Sequence, residues 1–320
     1  MTSDESLPFI SIIILNFNGI DILRNCLQSV LESDYPRFEV IVLDNGSTDG
    51  SVEMVRMEFP LVHIIESRKN LGFIMGNNLA ISQSHGDIIV LLNNDTKVDR
   101  HWLRWIAKAA NDPNVGIVGC KVYYMGTNVI QDAGSFLNPW GLSFTPDAGL
   151  LDHENDSKVV EVDWVTGAAL GIKRNVLKII GLLDTKFSPS FYEDVDLCIR
   201  AKKHGFKVVT ARGAKIFHYA SETWNRNVIK KAYYMTRNRI YFMLKHYRGR
   251  SLFIGLTWYY FISFITDMKK LFLRKFSTPI FYQQSPSIAR KMFYIRIIET
   301  LSSYLFVPVV FLRIIFMRKN

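Results

Sequence analysis

The stretch Ile88-Ile89-Val90-Leu91-Leu92-Asn93-Asn94-Asp95 (IIVLLNND) decides how this chain is read. Its five consecutive aliphatic residues predict a strand buried on both faces, in the middle of a parallel sheet. The run stops on two amides and an acid. Ligands of open α/β sheets gather at the carboxyl ends of the strands, which puts Asp95 where chemistry is expected. A carboxylate there can hold a divalent cation, and the cation can hold a diphosphate. A turn that merely ends a strand explains the same three residues, because Asn and Asp favour turns. What surrounds the stretch has to discriminate between the two.

Upstream, Phe9 to Leu15 (FISIIIL) reads as a strand ending on Asn16-Phe17-Asn18-Gly19. Asp21 is placed to cap a helix whose apolar stripe is Ile22, Leu23, Cys26, Leu27, Val30 and Leu31. Glu39 to Leu43 is a second strand, closed by Asp44-Asn45-Gly46-Ser47-Thr48-Asp49-Gly50, with Ser47 or Thr48 as the cap of the next helix. A short strand, Val62 to Ile65, precedes Asn70-Leu71-Gly72-Phe73 and a helix beginning near Gly76-Asn77-Asn78. This alternation predicts an α/β fold with a doubly wound, mostly parallel, Rossmann-like sheet. One edge of that sheet collects every polar strand end. The Asp44–Gly50 segment is not a calcium loop of the EF-hand kind, because Val55 stands where the last carboxylate would be needed. Asp44 itself follows its strand directly, where a carboxylate can accept from a ring N–H or a ribose hydroxyl. Neither a G-x-G-x-x-G fingerprint nor a P-loop follows any of these strands, which argues against a dehydrogenase or an NTPase.

Downstream, His101 to Ala110 is amphipathic and helical in pattern, and Gly116 to Val122 is another strand. Residues 125–160, rich in Gly, Asn, Pro and Asp, read as a surface excursion and a candidate substrate loop. Trp140 and Trp164 could stack on a sugar ring or pack, and packing is the commoner role of a lone Trp. Val162 to Gly171 carries a strand into a small-residue turn at Gly167-Ala168, where backbone can approach a ligand closely. Then Phe191 to Arg200 (FYEDVDLCIR) crowds Glu193, Asp194 and Asp196 into the start of a helix. The helix dipole favours acids at that end but does not account for crowding three. Like charges held close raise one another's pKa, which suits a general base taking a proton from a hydroxyl. His218 ends a further strand, and a lone His is more often structural than a ligand.

The net charge of +10 is unevenly spread. Residues 226–320 carry 18 of the 39 Lys/Arg and only two of the 29 Asp/Glu, so the chain reads as two regions, 1–225 and 226–320. The second is also rich in Phe, Ile, Leu, Tyr and Trp, which favours an anionic membrane surface over nucleic acid as its partner. Cys26, Cys120 and Cys198 have no disulfide-framework or zinc-site spacing, and a reducing compartment fits. Met1 to Pro8 lacks the basic start and apolar centre of a signal peptide, so the first region is expected in the cytoplasm.

Taken together the chain resembles family 2 glycosyltransferases of the GT-A fold, most closely their rhamnosyltransferase-like branch. The segments IIILNFNG (12–19), LDNGSTDG (43–50), NLGFIMGNN (70–78), LLNNDT (91–96) and FYEDVDLCIR (191–200) occur in that family's order. The resemblance covers about residues 8–245 and implies transfer of a hexosyl or deoxyhexosyl group from a nucleotide sugar, with inversion at the anomeric carbon. It implies a UDP-, dTDP- or GDP-sugar bound by Asn16, Asn18, Asp44, Asn45, Asn70, Gly72, Asn77 and Asn93. The family's D-x-D motif is Asn93-Asn94-Asp95 here, leaving Asp95 as metal ligand and making His218 a credible second one, for Mn²⁺ or Mg²⁺. Asp194 matches the catalytic base, while Trp164, Gly167, Ala168, Glu193 and Asp196 would shape the acceptor site. A processive Q-x-x-R-W motif is absent, since Gln283-Gln284 is followed by Ser285, so one sugar per encounter is expected. The setting implied is envelope polysaccharide synthesis on a glycan or lipid-linked acceptor.

In the basic tail, Lys231 to Tyr247 is helical in pattern, with Arg237, Arg239 and Lys245 among aromatic residues. The uncharged runs 251–266 and 300–312 fall short of the roughly 20 apolar residues that span a bilayer. Amphipathic helices lying in the cytoplasmic membrane face fit best, and a helical subdomain covering the sheet or making a homodimer is the alternative. Two other functions compete with sugar transfer. One is a nucleotide-sugar-binding scaffold that lost catalysis, raised by Asn93. The other is nucleotidyl transfer.

Overall fold

The aliphatic runs form the strands they predict, and their pairing decides where the polar ends go. The structure is a computed structural model that describes residues 6–153, 156–219 and 228–257, with Ile265 and Leu305 as isolated positions. The chain divides into two compact units, Met1–Phe136 with Thr145–Ala220, and Leu137–Phe144 with Ser221–Asn320. In the first unit β1 (Ile10–Asn16), α1 (Ile20–Leu31), β2 (Phe38–Asp44), α2 (Ser51–Glu58), β3 (His63–Glu66), α3 (Gly72–Gln83) and β4 (Ile88–Asn93) alternate as expected. Strands β3, β2, β1 and β4 pair in parallel. Their register sets Asn16 opposite Asp44, Asp44 opposite Glu66 and Leu15 opposite Asn93. One carboxyl edge therefore collects the ends of all four strands.

Beyond β4 the sheet departs from the mostly parallel expectation. The later elements are β5 (Thr96–Val98), α4 (Trp102–Ala110), β6 (Val115–Tyr124), β7 (Ile130–Asp132), β8 (Phe136–Leu137), β9 (Ser143–Phe144), β10 (Val159–Val162) and β11 (Ala169–Lys173). α5 (Arg174–Ile180), a 3₁₀ turn (Thr185–Phe187), α6 (Glu193–Lys203) and β12 (Lys207–His218) follow. The sheet runs β10-β12-β6-β11-β4-β1-β2-β3, with β5 on β12 and β7 on β6, so ten strands join among the described residues. β11 is antiparallel to both β4 and β6, which makes the sheet mixed. It returns from the second half of the chain into the gap beside β4, a non-local pairing that no local periodicity encodes. On one face of the sheet Ile10, Ile12 and Ile14 of β1, Val40 and Val42 of β2, and Ile88, Val90 and Leu92 of β4 share an apolar core with residues of α1 and α4. All three cysteines are buried and free.

Several helix caps also differ from expectation. α1 begins at Ile20, whose N–H donates to Asp49 Oδ2 at 3.0 Å, so Asp49 serves that end rather than Asp21. Asp49 Oδ1 takes the Ser51 N–H at 3.1 Å, which frees Ser47 and Thr48 for the β1 turn. α3 starts four residues earlier than Gly76, at Gly72. The 125–160 excursion is pinned as well as exposed. Lys121, fully buried on β6, bridges Asp152 at 3.0 Å and Asp156 at 3.1 Å, and Arg212 on β12 bridges Asp147 and Asp156.

In the second unit, α7 (Val228–His246) and α8 (Gly249–Thr257) contain the helical pattern expected from Lys231. Within it Arg237 lies over the Tyr234 ring at 4.8 Å, and Phe242 meets Tyr247 edge-on. No helix among the described residues is long and apolar enough to cross a membrane. The basic residues at 269–296 and the uncharged run 300–312, Leu305 apart, lie outside the described residues, as does 258–266 apart from Ile265.

Candidate active site

At the carboxyl edge the small polar residues are tied to each other before any ligand is considered. Buried Asn16 donates from Nδ2 to Asp44 Oδ1 and Ser47 Oγ, both at 3.3 Å. Its Oδ1 accepts from Asn94 Nδ2 at 2.9 Å, which links the β1 turn to the β4 turn. A Cβ on Gly19 would press on this amide pair at 2.9 and 3.0 Å, so a larger residue there would push the two amides aside. Asn18, held in the left-handed region at φ 50°, donates its N–H to Ser47 Oγ and accepts from Thr48 N–H. Asp44 is buried, and its Oδ2 takes the N–H groups of Gly46 and Ser47 at 3.1 and 2.8 Å. Buried Asn45 holds the next turn through Leu71 N–H and Gly72 O. Asn70 takes the Gly72 N–H at 2.8 Å, and Gly72 adopts φ +77° beside Pro189, which a side chain would resist. These residues converge, and much of their hydrogen bonding shapes the loops. Asn77 is the exception. It lies buried inside α3 and donates to Phe73 O at 2.8 Å, one turn back in its own helix.

The β5–β12 ladder brings the second half of the chain to Asp95. His218 is paired with Thr96, and Tyr219 N–H donates to Asp95 O. His218 Nε2 then lies 3.1 Å from Asp95 Oδ1 and 3.3 Å from Asn93 Nδ2. On the other side of the ring, Nδ1 is 2.9 Å from Gln131 Oε1. With Nδ1–H donated to the Gln131 carbonyl, the tautomer so defined turns the Nε2 lone pair towards Asp95 and Asn93 Nδ2. In that tautomer Nε2 and Asp95 Oδ1 are both lone-pair donors that would serve as two ligands of one cation, while with a proton on Nε2 the same 3.1 Å is a histidine–aspartate ion pair. A carboxylate and an imidazole nitrogen are a donor set that Mn²⁺ or Mg²⁺ would accept. Among the described residues no third His, Cys, Asp or Glu joins them, which leaves the remaining positions to oxygen from a ligand or water.

Asn93 N–H donates to Ala168 O at 3.0 Å, so the Gly167-Ala168 turn sits against the end of β4. From there Gly167 N–H reaches Asp194 Oδ2 at 2.9 Å, and Val195 N–H reaches Oδ1 at 2.8 Å. The three acids of α6 have separate environments. Glu193 is buried, and its Oε2 has no hydrogen-bond partner among the described residues. Burial first, then the Asp194 charge, hold its carboxyl well above the usual range. Burial also raises Asp194, while the Gly167 and Val195 N–H groups pull it back. The anion therefore belongs on Asp194 and the proton on Glu193. Asp196, fully buried, binds Arg200 Nε at 2.8 Å, and Arg200 in turn caps the carbonyls of Gly181 and Leu182. Asp196 thus shapes a loop. Phe191 and Tyr192 both lie at positive φ, 80° and 71°, a strain of order 1–3 kcal/mol each that aims the acids inward.

Two functional candidates escape a reading of the sequence alone. Gln131 on β7 contacts His218, and its neighbour Asp132 is buried near Asp194. Asp132 accepts from Gly134 N–H and Ser135 Oγ, and burial pushes its carboxyl up to about 6. Short β7 carries no periodic signal, and both residues reach the site only through its pairing with β6. Asn78 is a further residue that the motifs do not single out as a clamp. It exchanges two hydrogen bonds with the Leu183 backbone, tying α3 to the segment before α6. Trp164 pairs with Ser135 through backbone groups of both residues.

Residues 88–316 match the profile described as Glycosyl transferase family group 2, and residues 11–152 match that of Glycosyl transferase family 2. The chain belongs to the family 2 group of glycosyltransferases. Relatives of this glycosyltransferase include the O-antigen biosynthesis protein RfbC of Myxococcus xanthus, 28% identical over 71% of the chain and 18% of that protein. An uncharacterised protein of Sinorhizobium fredii is 29% identical over 68% of the chain and 25% of its own length. The chain thus spans a quarter or less of these two relatives. The fold matches the mannosyltransferase PcManGT of Pyrobaculum calidifontis, solved with GDP-Man and Mn²⁺, at 18% identity and a TM-score of 0.61 over 95% of this chain and 88% of that one. It also matches GalNAc-T7, solved with UDP, GalNAc and Mn²⁺, at 15% identity and a TM-score of 0.56 over 74% and 51%.

Proposed function

We propose that this chain transfers one sugar from a nucleotide-sugar donor to an acceptor hydroxyl, with inversion at the anomeric carbon and with help from Mn²⁺ or Mg²⁺. One observation supports the reading: the Asp95–His218 pair and the Asp194 carboxylate stand at the two sides of the Asn93–Ala168 contact on one sheet edge. The base and ribose of the donor go to the Asn16–Asn18, Asp44–Asn45 and Asn70–Gly72 turns, whose preformed hydrogen bonds hold them ready. Asn93, Asp95 and His218 face the diphosphate. A divalent ion there would neutralise the departing diphosphate. Asp194 takes the proton of the acceptor hydroxyl as that oxygen bonds to the anomeric carbon and the carbon–phosphate-oxygen bond breaks. Glu193, kept neutral, adds no second charge beside the base. Gly167 and Val195 N–H groups fix the Asp194 carboxylate without taking all of its lone pairs.

The rhamnosyltransferase-like branch, and an envelope glycan or lipid-linked acceptor, belong to this reading on the strength of the five motifs and the relation to an O-antigen biosynthesis protein. So does docking of the basic, aromatic C-terminal region on the cytoplasmic membrane face. The test is a panel of UDP-, dTDP- and GDP-sugars with released nucleoside diphosphate as the readout. Pyrophosphate instead would indicate nucleotidyl transfer. Binding without turnover would indicate a scaffold.

A further inference from the structure

The contact that the proposed reaction leaves unused is Gln131 at the Nδ1 edge of the His218 ring. β7 is three residues long, and successive side chains of a strand point to opposite faces. Its pairing with β6 sets Ile130 opposite Tyr123 and Asp132 opposite Val122, so Gln131 is the extra residue at a register shift, a place where a strand re-aims a side chain. β6 also pairs with β12, setting Tyr124 opposite His218, and Met125 N–H donates to His218 O. Gln131 and His218 are thus delivered to one another by a common strand, with Oε1 and Nδ1 2.9 Å apart.

We propose that Gln131 is a positioning residue for the metal site. By accepting the Nδ1 proton of His218 it keeps the imidazole in the tautomer whose Nε2 lone pair faces Asp95 Oδ1. It also fixes the ring's rotation. A histidine ligand whose second nitrogen is hydrogen-bonded binds metal more tightly than one left to rotate or to change tautomer. The inference rests on the reading of Asp95 and His218 as metal ligands. It assigns Gln131 no contact with substrate.

The experiment is a Mn²⁺ titration of the full chain, followed by the loss of the free-ion electron paramagnetic resonance signal. Gln131→Leu keeps the size and removes the acceptor. It should weaken Mn²⁺ binding by about tenfold to a hundredfold, the usual effect of losing a ligand's hydrogen-bond partner. Gln131→Glu retains an oxygen acceptor and should bind within about threefold of wild type or tighter, a rescue that a packing role would not produce. Melting temperatures measured without metal separate a folding defect from a site defect, and Gln131→Leu and Gln131→Glu should melt alike. If Asp95→Asn and His218→Ala lose Mn²⁺ binding while Gln131→Leu binds like wild type, the role given to Gln131 is overturned. Equally weak binding by Gln131→Leu and Gln131→Glu would overturn it too. If Asp95→Asn and His218→Ala both bind Mn²⁺ normally, the metal reading itself falls.

Discussion

Asp194→Asn isolates the step on which the mechanism depends. The amide preserves shape and can still accept one of the two N–H groups, from Gly167 or Val195, that now hold the carboxylate at 2.9 and 2.8 Å. The other N–H would face an NH₂ group and lose its partner, at a cost of about 1–3 kcal/mol. Removing a buried charge offsets part of that, because burial is the largest influence on Asp194. The folded protein should therefore survive with a small change in melting temperature. Catalysis should not. A positioned general base contributes about 10² to 10⁴ in rate, or about 3–5 kcal/mol of barrier. Glu193→Gln replaces a carboxyl that is already neutral, so transfer should stay within about tenfold of wild type. Initial rates at saturating donor and acceptor, with donor affinity measured separately, give the comparison. Wild-type transfer should also fall towards acid, starting above the pH at which an ordinary aspartate titrates, since Asp194 is raised. The assignment is refuted if Asp194→Asn turns over normally, or if Glu193→Gln is the dead variant.

Other expected outcomes follow from neighbouring contacts. Asp95→Ala should abolish metal-dependent turnover in a folded protein, and normal activity in the presence of EDTA would contradict the metal assignment. Asp132, raised to about 6 from 3.8, binds its proton more tightly folded than unfolded, so its stabilising effect is complete below pH 3.8 and lost as pH rises through 6. Asp132→Asn should accordingly gain about 2 kcal/mol on wild type between pH 4 and pH 7.5 in urea titrations, and a gap independent of pH would count against the buried-acid account. Asp196→Ala leaves the Arg200 guanidinium without its buried partner and should cost about 3–5 kcal/mol of stability, read as a lowered urea midpoint. Truncation near Tyr247 should release the protein from anionic vesicles, and binding of the intact chain should weaken with salt; extraction by detergent alone would argue for insertion instead.

The first half of the fold is legible in the sequence because each strand there is a local aliphatic run and each pairs with a strand of the same kind. The register of β1, β2 and β4 then brings Asn16, Asp44 and Asn93 together as the strand ends suggest. The antiparallel β11 is illegible, since its partners Leu92 and Gly119 lie 77 and 51 positions away from Ala169 and Leu170 in pairings that no periodicity announces. Asp95, His218, Asp194 and the Gly167 turn stand out by residue type at strand and helix ends. Gln131 and Asp132 sit on a strand too short to carry a pattern, within a segment that reads as loop. Asn77 shows that a polar residue in a persuasive motif can also bond within its own helix. Asp49 shows that a capping side chain need not come from the helix it caps.

The most direct measurement of the central claim is one reaction followed at both products. Purified protein with Mn²⁺, a nucleotide-sugar panel and a lipid-linked or glycan acceptor is assayed for nucleoside diphosphate, and the glycosylated product is examined by NMR for anomeric configuration. The account predicts equal amounts of diphosphate and product with one donor, and a configuration opposite to the donor's. Product with retained configuration, pyrophosphate in place of diphosphate, or no turnover with any donor would contradict it.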